Sequence, residues 1–161
     1  MAYPCSMLEP APTTRLDPAL SRGTLAEVRP ATATRPSVVV LTVPNTEYRL
    51  ELRPVGDDLA PFEGRVGTTV VGIVRAEARR LDLCGAGGRY VEPVFGRPRR
   101  VQGMVREVRA PENTVVVSAA LGLALNLTPT APGQNAGQFK EGDFLTCGVL
   151  DGATFELVEL E

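Results

Sequence analysis

Arg89, Tyr90, Phe95, Arg97, Arg99 and Arg100 are the residues whose types and spacing best suit chemistry with a partner. They interleave cations with rings inside a short stretch, 84–100, punctuated by glycine and proline. A guanidinium can clamp phosphate or carboxylate with paired hydrogen bonds. Ring faces can stack on bases, and proteins that hold single-stranded nucleic acid use both devices together. The same mixture suits an acidic protein surface, including the acidic end of a second copy of this chain. The plain alternative is a solvated hairpin whose Tyr90 and Phe95 pack on the core.

Other candidate chemistry is sparse. There is no histidine, which removes the commonest metal ligand and the usual base of serine and cysteine nucleophiles. Asp57 and Asp58 are adjacent carboxylates with no third ligand near them in sequence, so they read as a solvated turn. The run Cys84-Gly85-Ala86-Gly87-Gly88 can present backbone N–H groups to an anion. No Gly-Lys-Ser/Thr follows it, and flexible loop is the simpler reading. Cys84, close in sequence to Arg79 and Arg80, is a candidate for a mildly activated thiol but has no base or resolving cysteine beside it. Cys147 sits in an apolar run and reads as core. No acid–base pair, metal cluster or nucleophile site can be assembled from these residues. A non-enzymatic protein with no metal and no cofactor is expected.

Charge is unevenly spread. Residues 64–109 hold ten arginines against Glu77, Asp82, Glu92 and Glu107, a net of +6. Residues 1–63 net −2 and residues 110–161 net −6, so the overall −2 conceals a basic middle and an acidic end. Sixteen of the seventeen basic residues are arginine, the side chain suited to planar anions.

The elements that must position the basic stretch read as strands. With 161 residues, 43% hydrophobic and 22% charged, the chain can bury a core and falls in the soluble globular class. Fourteen prolines and sixteen glycines imply many turns and short strands. Residues 1–23 scatter four prolines with no apolar period and read as a disordered tail. They show neither the basic nor the apolar region of a signal peptide. Together with three widely spaced cysteines, this suits the cytoplasm. No apolar run is long enough to cross a bilayer as a helix.

Residues 37–43 form a β-branched run. Residues 47–53 alternate, with Tyr48, Leu50 and Leu52 on one face and charges on the other, and the two runs read as a hairpin. Residues 65–83 fit a long strand with a bulge near Arg79-Arg80, with a helix over 75–83 left open. Further strands are expected at 89–95, 99–109, 114–120, 123–128, 143–150 and 153–160, the last two joined by the hairpin dipeptide Asp151-Gly152. The fold class is therefore all-β.

An internal repeat runs through this pattern. Val38-Val39-Val40 recurs 77 residues later as Val115-Val116-Val117, and Leu50-Glu51-Leu52-Arg53-Pro54 matches Leu125-Asn126-Leu127-Thr128-Pro129. Two pseudo-repeats, 24–83 and 101–160, joined by an Arg-rich hairpin at 84–100, are the expected domain organisation.

The second unit resembles an OB-fold-type β-barrel. A first strand with a glycine bend (VQGMVREVR) is followed by NTVVVSA and LALNLTP. After a loop come FKEGDFLTCGVL and ATFELVEL as the closing pair. The resemblance implies architecture only. Val115, Val117, Leu123 and Leu125 stand where nucleic-acid-binding OB folds usually carry aromatics. The binding surface is therefore expected on the hairpin, for single-stranded nucleic acid or an acidic protein surface. The alternative is a structural, self-assembling protein that forms homo-oligomers, with this hairpin meeting the acidic part of another subunit.

Overall fold

The computed structural model describes residues 17–85 and 87–158. It is all-β: a single mixed sheet of eleven strands, with only three-residue 3-10 turns between them. Three strands come first, β1 (Leu20–Arg29), β2 (Val38–Thr42) and β3 (Arg49–Pro54). The expected alternation in β3 buries Leu50 and Leu52 completely. A 15-residue strand, β4 (Thr69–Leu83), follows. Two short pieces, β5 (Tyr90–Glu92) and β6 (Phe95–Gly96), lead to β7 (Arg100–Arg109), β8 (Thr114–Ala120) and β9 (Leu123–Pro129). The last two are β10 (Phe144–Val149) and β11 (Thr154–Leu157). In β9, Leu125 and Leu127 are also fully buried.

β4 resolves the strand-or-helix alternative at 75–83. Val70, Val74, Ala76 and Ala78 are buried at a strand period, which continues to Ala78 and is then broken. Ala78 pairs with Val149 and Leu81 with Cys147, so Arg79 and Arg80 together oppose Gly148 alone. This is the expected bulge. It restores Leu81 to the interior and leaves both arginines exposed.

The pairings close two circuits of five strands each. One runs β1–β2–β3–β11–β4 and back to β1. The other runs β7–β8–β9–β4–β10 and back to β7. β4 serves both, and so does the path from β10 to β11, which lies end to end antiparallel to it. Each circuit takes three consecutive strands of its own and one half of each of these long strands. One apolar cluster fills both, with Phe62 and Phe155 at 6.1 Å between ring centroids in the first circuit.

The two circuits share registers in detail. β1 bulges between Leu25 and Glu27, and β7 between Val105 and Glu107. Leu25 donates to Thr68 O and accepts from Gly67 N–H, while Val105 does the same with Asp143 O and Gly142 N–H. Gly23 and Gly103 sit at matching points, where a β-carbon would run into the carbonyl oxygen of Thr42 in one case and Ser118 in the other. These correspondences fix offsets of 80 residues for β1/β7, 76 for β2/β8 and 75 for β3/β9, read from the pairings Thr24↔Thr42, Met104↔Ser118, Leu41↔Leu50 and Val117↔Leu125. The match of Val38–Val40 to Val115–Val117 thus shifts by one residue, from 77 to 76, whereas the match of 50–54 to 125–129 keeps its offset of 75.

Three expectations are corrected. The closing pair of the second unit does not stay together: β11 leaves for the first circuit, and the far half of β4 takes its place. Asp151-Gly152 is a jog between β10 and β11 along β4 instead of a hairpin, since those strands do not pair with each other. The stretch read as a tail also ends early. β1 begins at Leu20, Ala19 and Ser21 are 1% exposed, and the Ser21 hydroxyl bridges the N–H and carbonyl of Ala124. The remainder of that stretch, residues 1–16, lies outside the described residues.

Candidate anion-binding surface

The basic stretch is anchored to both circuits. β5 pairs antiparallel with the start of β7, placing Tyr90 opposite Gln102 and Glu92 opposite Arg100. The turn between them folds back on β3, where Phe95 and Gly96 pair with Arg49 and Leu50. Arg49 N–H donates to Val94 O at 2.8 Å, Val91 N–H donates to the Tyr48 hydroxyl at 3.0 Å, and Val149 N–H donates to Arg99 O at 2.8 Å. Buried Val91 and Pro98 act as apolar pegs. A buried proline flanked by Arg97 and Arg99 leaves both of those side chains on the solvent side.

All six residues singled out from the sequence lie on this hairpin, but their surroundings differ. Arg89 donates to the Ser118 hydroxyl at 3.1 Å. The Tyr90 hydroxyl donates to Gln102 Oε1 at 3.2 Å, and its ring is half-buried. Arg100 donates to the Thr146 hydroxyl at 3.1 Å. Arg97 forms an exposed ion pair with Asp151 at 2.9 Å. Arg99 has no side-chain hydrogen bond or ion pair among the described residues. Phe95 is 65% exposed, more than any other aromatic among the described residues.

Two clefts flank Arg97 and Arg99. The larger, about 730 Å³, is lined by Glu51, Glu92, residues 93–96 and Arg97, Arg99 and Arg100, so the exposed Phe95 ring shares it with three cations. The smaller, about 440 Å³, is lined by Arg79, Arg97, Pro98, Arg99, Val149 and Asp151. Arg79 enters it from the β4 bulge, its side chain lying across Gly148, where a β-carbon would come within 3.3 Å of Arg79 Cδ. Arg79 and Asp151 were not among the candidates from sequence. The signal for Arg79 was the bulge itself, which turns consecutive arginines to one face. Asp151 had none, because the jog that presents it depends on β11 joining the other circuit.

The outer faces of the three-strand sets are occupied. On the first circuit Glu27, Arg29, Arg49 and Glu51 form a network of ion pairs, the closest being Arg29 to Glu27 at 2.7 Å. The Arg29 hydrogen bond is the main reason the Glu27 carboxyl titrates below the usual carboxylate range. On the second circuit Ala19 packs over Val116 and Ala124, while Asn126 Nδ2 donates to Ala19 O and Val74 O. Arg109 bridges Asp17 and Glu107 there, and hydrogen bonding to Glu107 is the leading cause that raises its pKa.

The remaining candidates fall into structural roles. Asp57 accepts from the Ser37 hydroxyl and lies 3.6 Å from Arg53, while Asp58 caps Ala60 N–H. Among the described residues no three His, Cys, Asp or Glu side chains gather as a metal site. Burial pushes the Cys147 thiol up to about 12. No described helix is long and apolar enough to cross a membrane. Comparison with protein-family models, curated proteins and solved structures finds no match to this chain.

Proposed function

We propose that this chain is a non-enzymatic binding module whose Arg-rich hairpin engages an anionic partner, with single-stranded nucleic acid first. The observation that carries the reading is the larger cleft, where the exposed Phe95 ring lies with Arg97, Arg99 and Arg100. Cations for phosphates beside a free π-face are the parts such a partner requires. The first circuit also closes in the chain order one-two-three-five-four, which resembles an OB fold, and in the second the far half of β4, which precedes its other strands in the chain, stands in the position of strand five. The face that OB folds ordinarily use, strands two and three, is taken up here by ion pairs in one circuit and by Ala19 in the other. That supports the hairpin as the working surface. The recurrent registers support descent of the two circuits from one duplicated unit.

The test is fluorescence anisotropy of a labelled single-stranded oligodeoxythymidine over a series of salt concentrations. Changing Arg97, Arg99 and Arg100 together to Ser should weaken binding and flatten its salt dependence, by roughly 0.7 in slope per lost phosphate contact. Absence of salt-sensitive binding by the unaltered protein would remove the reading. Loss of self-association in the triple variant would instead favour the assembly alternative, with the hairpin meeting acidic residues of another copy.

A further inference from the structure

We infer that Arg79, Arg97 and Arg99 form a seat for one phosphate group, with Asp151 as the internal counter-ion that the phosphate displaces. The inference rests on the anionic-partner reading and extends it to a subsite that the hairpin shares with the β4 bulge and Asp151. Three arginines line the smaller cleft, Arg97 and Arg99 from the turn and Arg79 from the β4 bulge. Among the described residues the only acidic group lining that cleft is Asp151, and it engages only Arg97. Among the described residues Arg79 and Arg99 have no side-chain hydrogen bond or ion pair.

The backbone fixes this excess of charge in place. Val149 N–H holds Arg99 O from the cleft wall, and buried Pro98 prevents the turn from swinging its two arginines apart. Gly148 matters equally, because its lack of a side chain lets Arg79 lie flat across β10 toward the cleft. Cations held side by side repel unless an anion lies between them. Asp151 fills that role in part, from a jog whose side chain is 68% exposed and whose ion pair is therefore weak. A phosphate oxygen set can satisfy three guanidinium forks where one carboxylate satisfies one. The shared ligand chemistry is a phosphate group, supplied either by a nucleic-acid backbone or by a free oligophosphate.

The experiment compares two probes, tripolyphosphate by titration calorimetry and a single-stranded oligodeoxythymidine by anisotropy. Arg79→Gln should weaken tripolyphosphate by about tenfold. Arg106→Gln, which removes the same charge from an exposed site on β7, should change it little. Asp151→Asn should tighten it about threefold to fivefold, and Glu112→Gln, adding the same charge elsewhere, should not. If a variant melts earlier than the unaltered protein, Arg79→Lys supplies the comparison. It keeps the charge without the planar fork and should retain only part of the affinity. Equal effects of Arg79→Gln and Arg106→Gln, or no tightening in Asp151→Asn beyond Glu112→Gln, would overturn the seat. If tripolyphosphate behaves as expected while the oligonucleotide fails to bind, the seat stands and the nucleic-acid reading falls. If the oligonucleotide binds with no selective effect of Arg79 or Asp151 on either probe, the reading stands and the seat falls. Binding of neither probe overturns both.

Discussion

Gly23 and Gly103 lie in matching positions, each where its strand crosses so close to the next that a β-carbon would strike the carbonyl oxygen of Thr42 or Ser118. Both lie on strands paired on two sides, one residue before pairing with the next strand begins at Thr24 and Met104. Gly23 pairs with Val70 and Gly103 with Leu145, so neither strand can move away without breaking a circuit. Gly23→Ala and Gly103→Ala should therefore each destabilise the protein by about 1–3 kcal/mol, the range for overpacking a filled interior. Urea denaturation of the two variants measures this. A neutral result at either position would mean the strand relaxes there.

Phe95 offers a sharper probe of the hairpin. Its ring is largely exposed, so Phe95→Ala should leave the melting temperature within error. Binding of single-stranded oligonucleotide should weaken by about 1–3 kcal/mol if the ring stacks on a base. A variant that melts early without loss of binding would assign Phe95 to the fold.

The start of β1 should matter for stability. Deleting residues 1–23 removes the Leu20–Gly23 pairing with β4, the Ser21 bridge to Ala124 and the Ala19 cover of Val116. Cooperative unfolding should be lost or shifted strongly downward in a thermal melt. Asn126→Ala tests the same seal by one side chain. It strands the carbonyls of Ala19 and Val74 and should cost about 1–3 kcal/mol.

The cysteines should separate by reactivity. Cys84 is partly exposed, whereas Cys147 is buried and its thiol is held protonated up to about 12. Alkylation at neutral pH followed by peptide mapping should label Cys84 and leave Cys147 intact until denaturant is added. Because the folded pKa lies above that of the unfolded thiol, the unfolded chain loses its proton first as pH rises. The contribution is fully present below about pH 8.5 and is lost toward pH 12. Cys147→Ala should remove that alkaline component from the stability profile.

Much of this fold is legible along single strands. The alternation at 47–53 and 123–128 identified which leucines turn inward, and the broken period at Arg79-Arg80 marked the bulge. Those patterns are local, governed by which side of a strand each residue faces. The pairing partners of whole strands were not legible. Asp151-Gly152 has hairpin chemistry, but a hairpin and a jog along a third strand ask the same of those two residues. The arginines of the hairpin could be read as a cluster. Their different fates could not, because Arg97 meets Asp151 and Arg100 meets Thr146 only once distant strands are placed.

The exchange of half-strands also sets an order of events for folding. The first circuit contains β1, β2 and β3, yet it stays open until Thr154 and Phe155 settle beside Arg53 and Pro54. A nascent chain with only the first hundred residues emerged holds β1 to β4 and the short β5 and β6, with a gap where β11 belongs. Closure across that separation is slow, because the loop entropy is lost before the contacts repay it. The first circuit should therefore close only once β11 has emerged. Pulse proteolysis of ribosome-bound chains that stop short of residue 154 should find them cut as readily as unfolded protein.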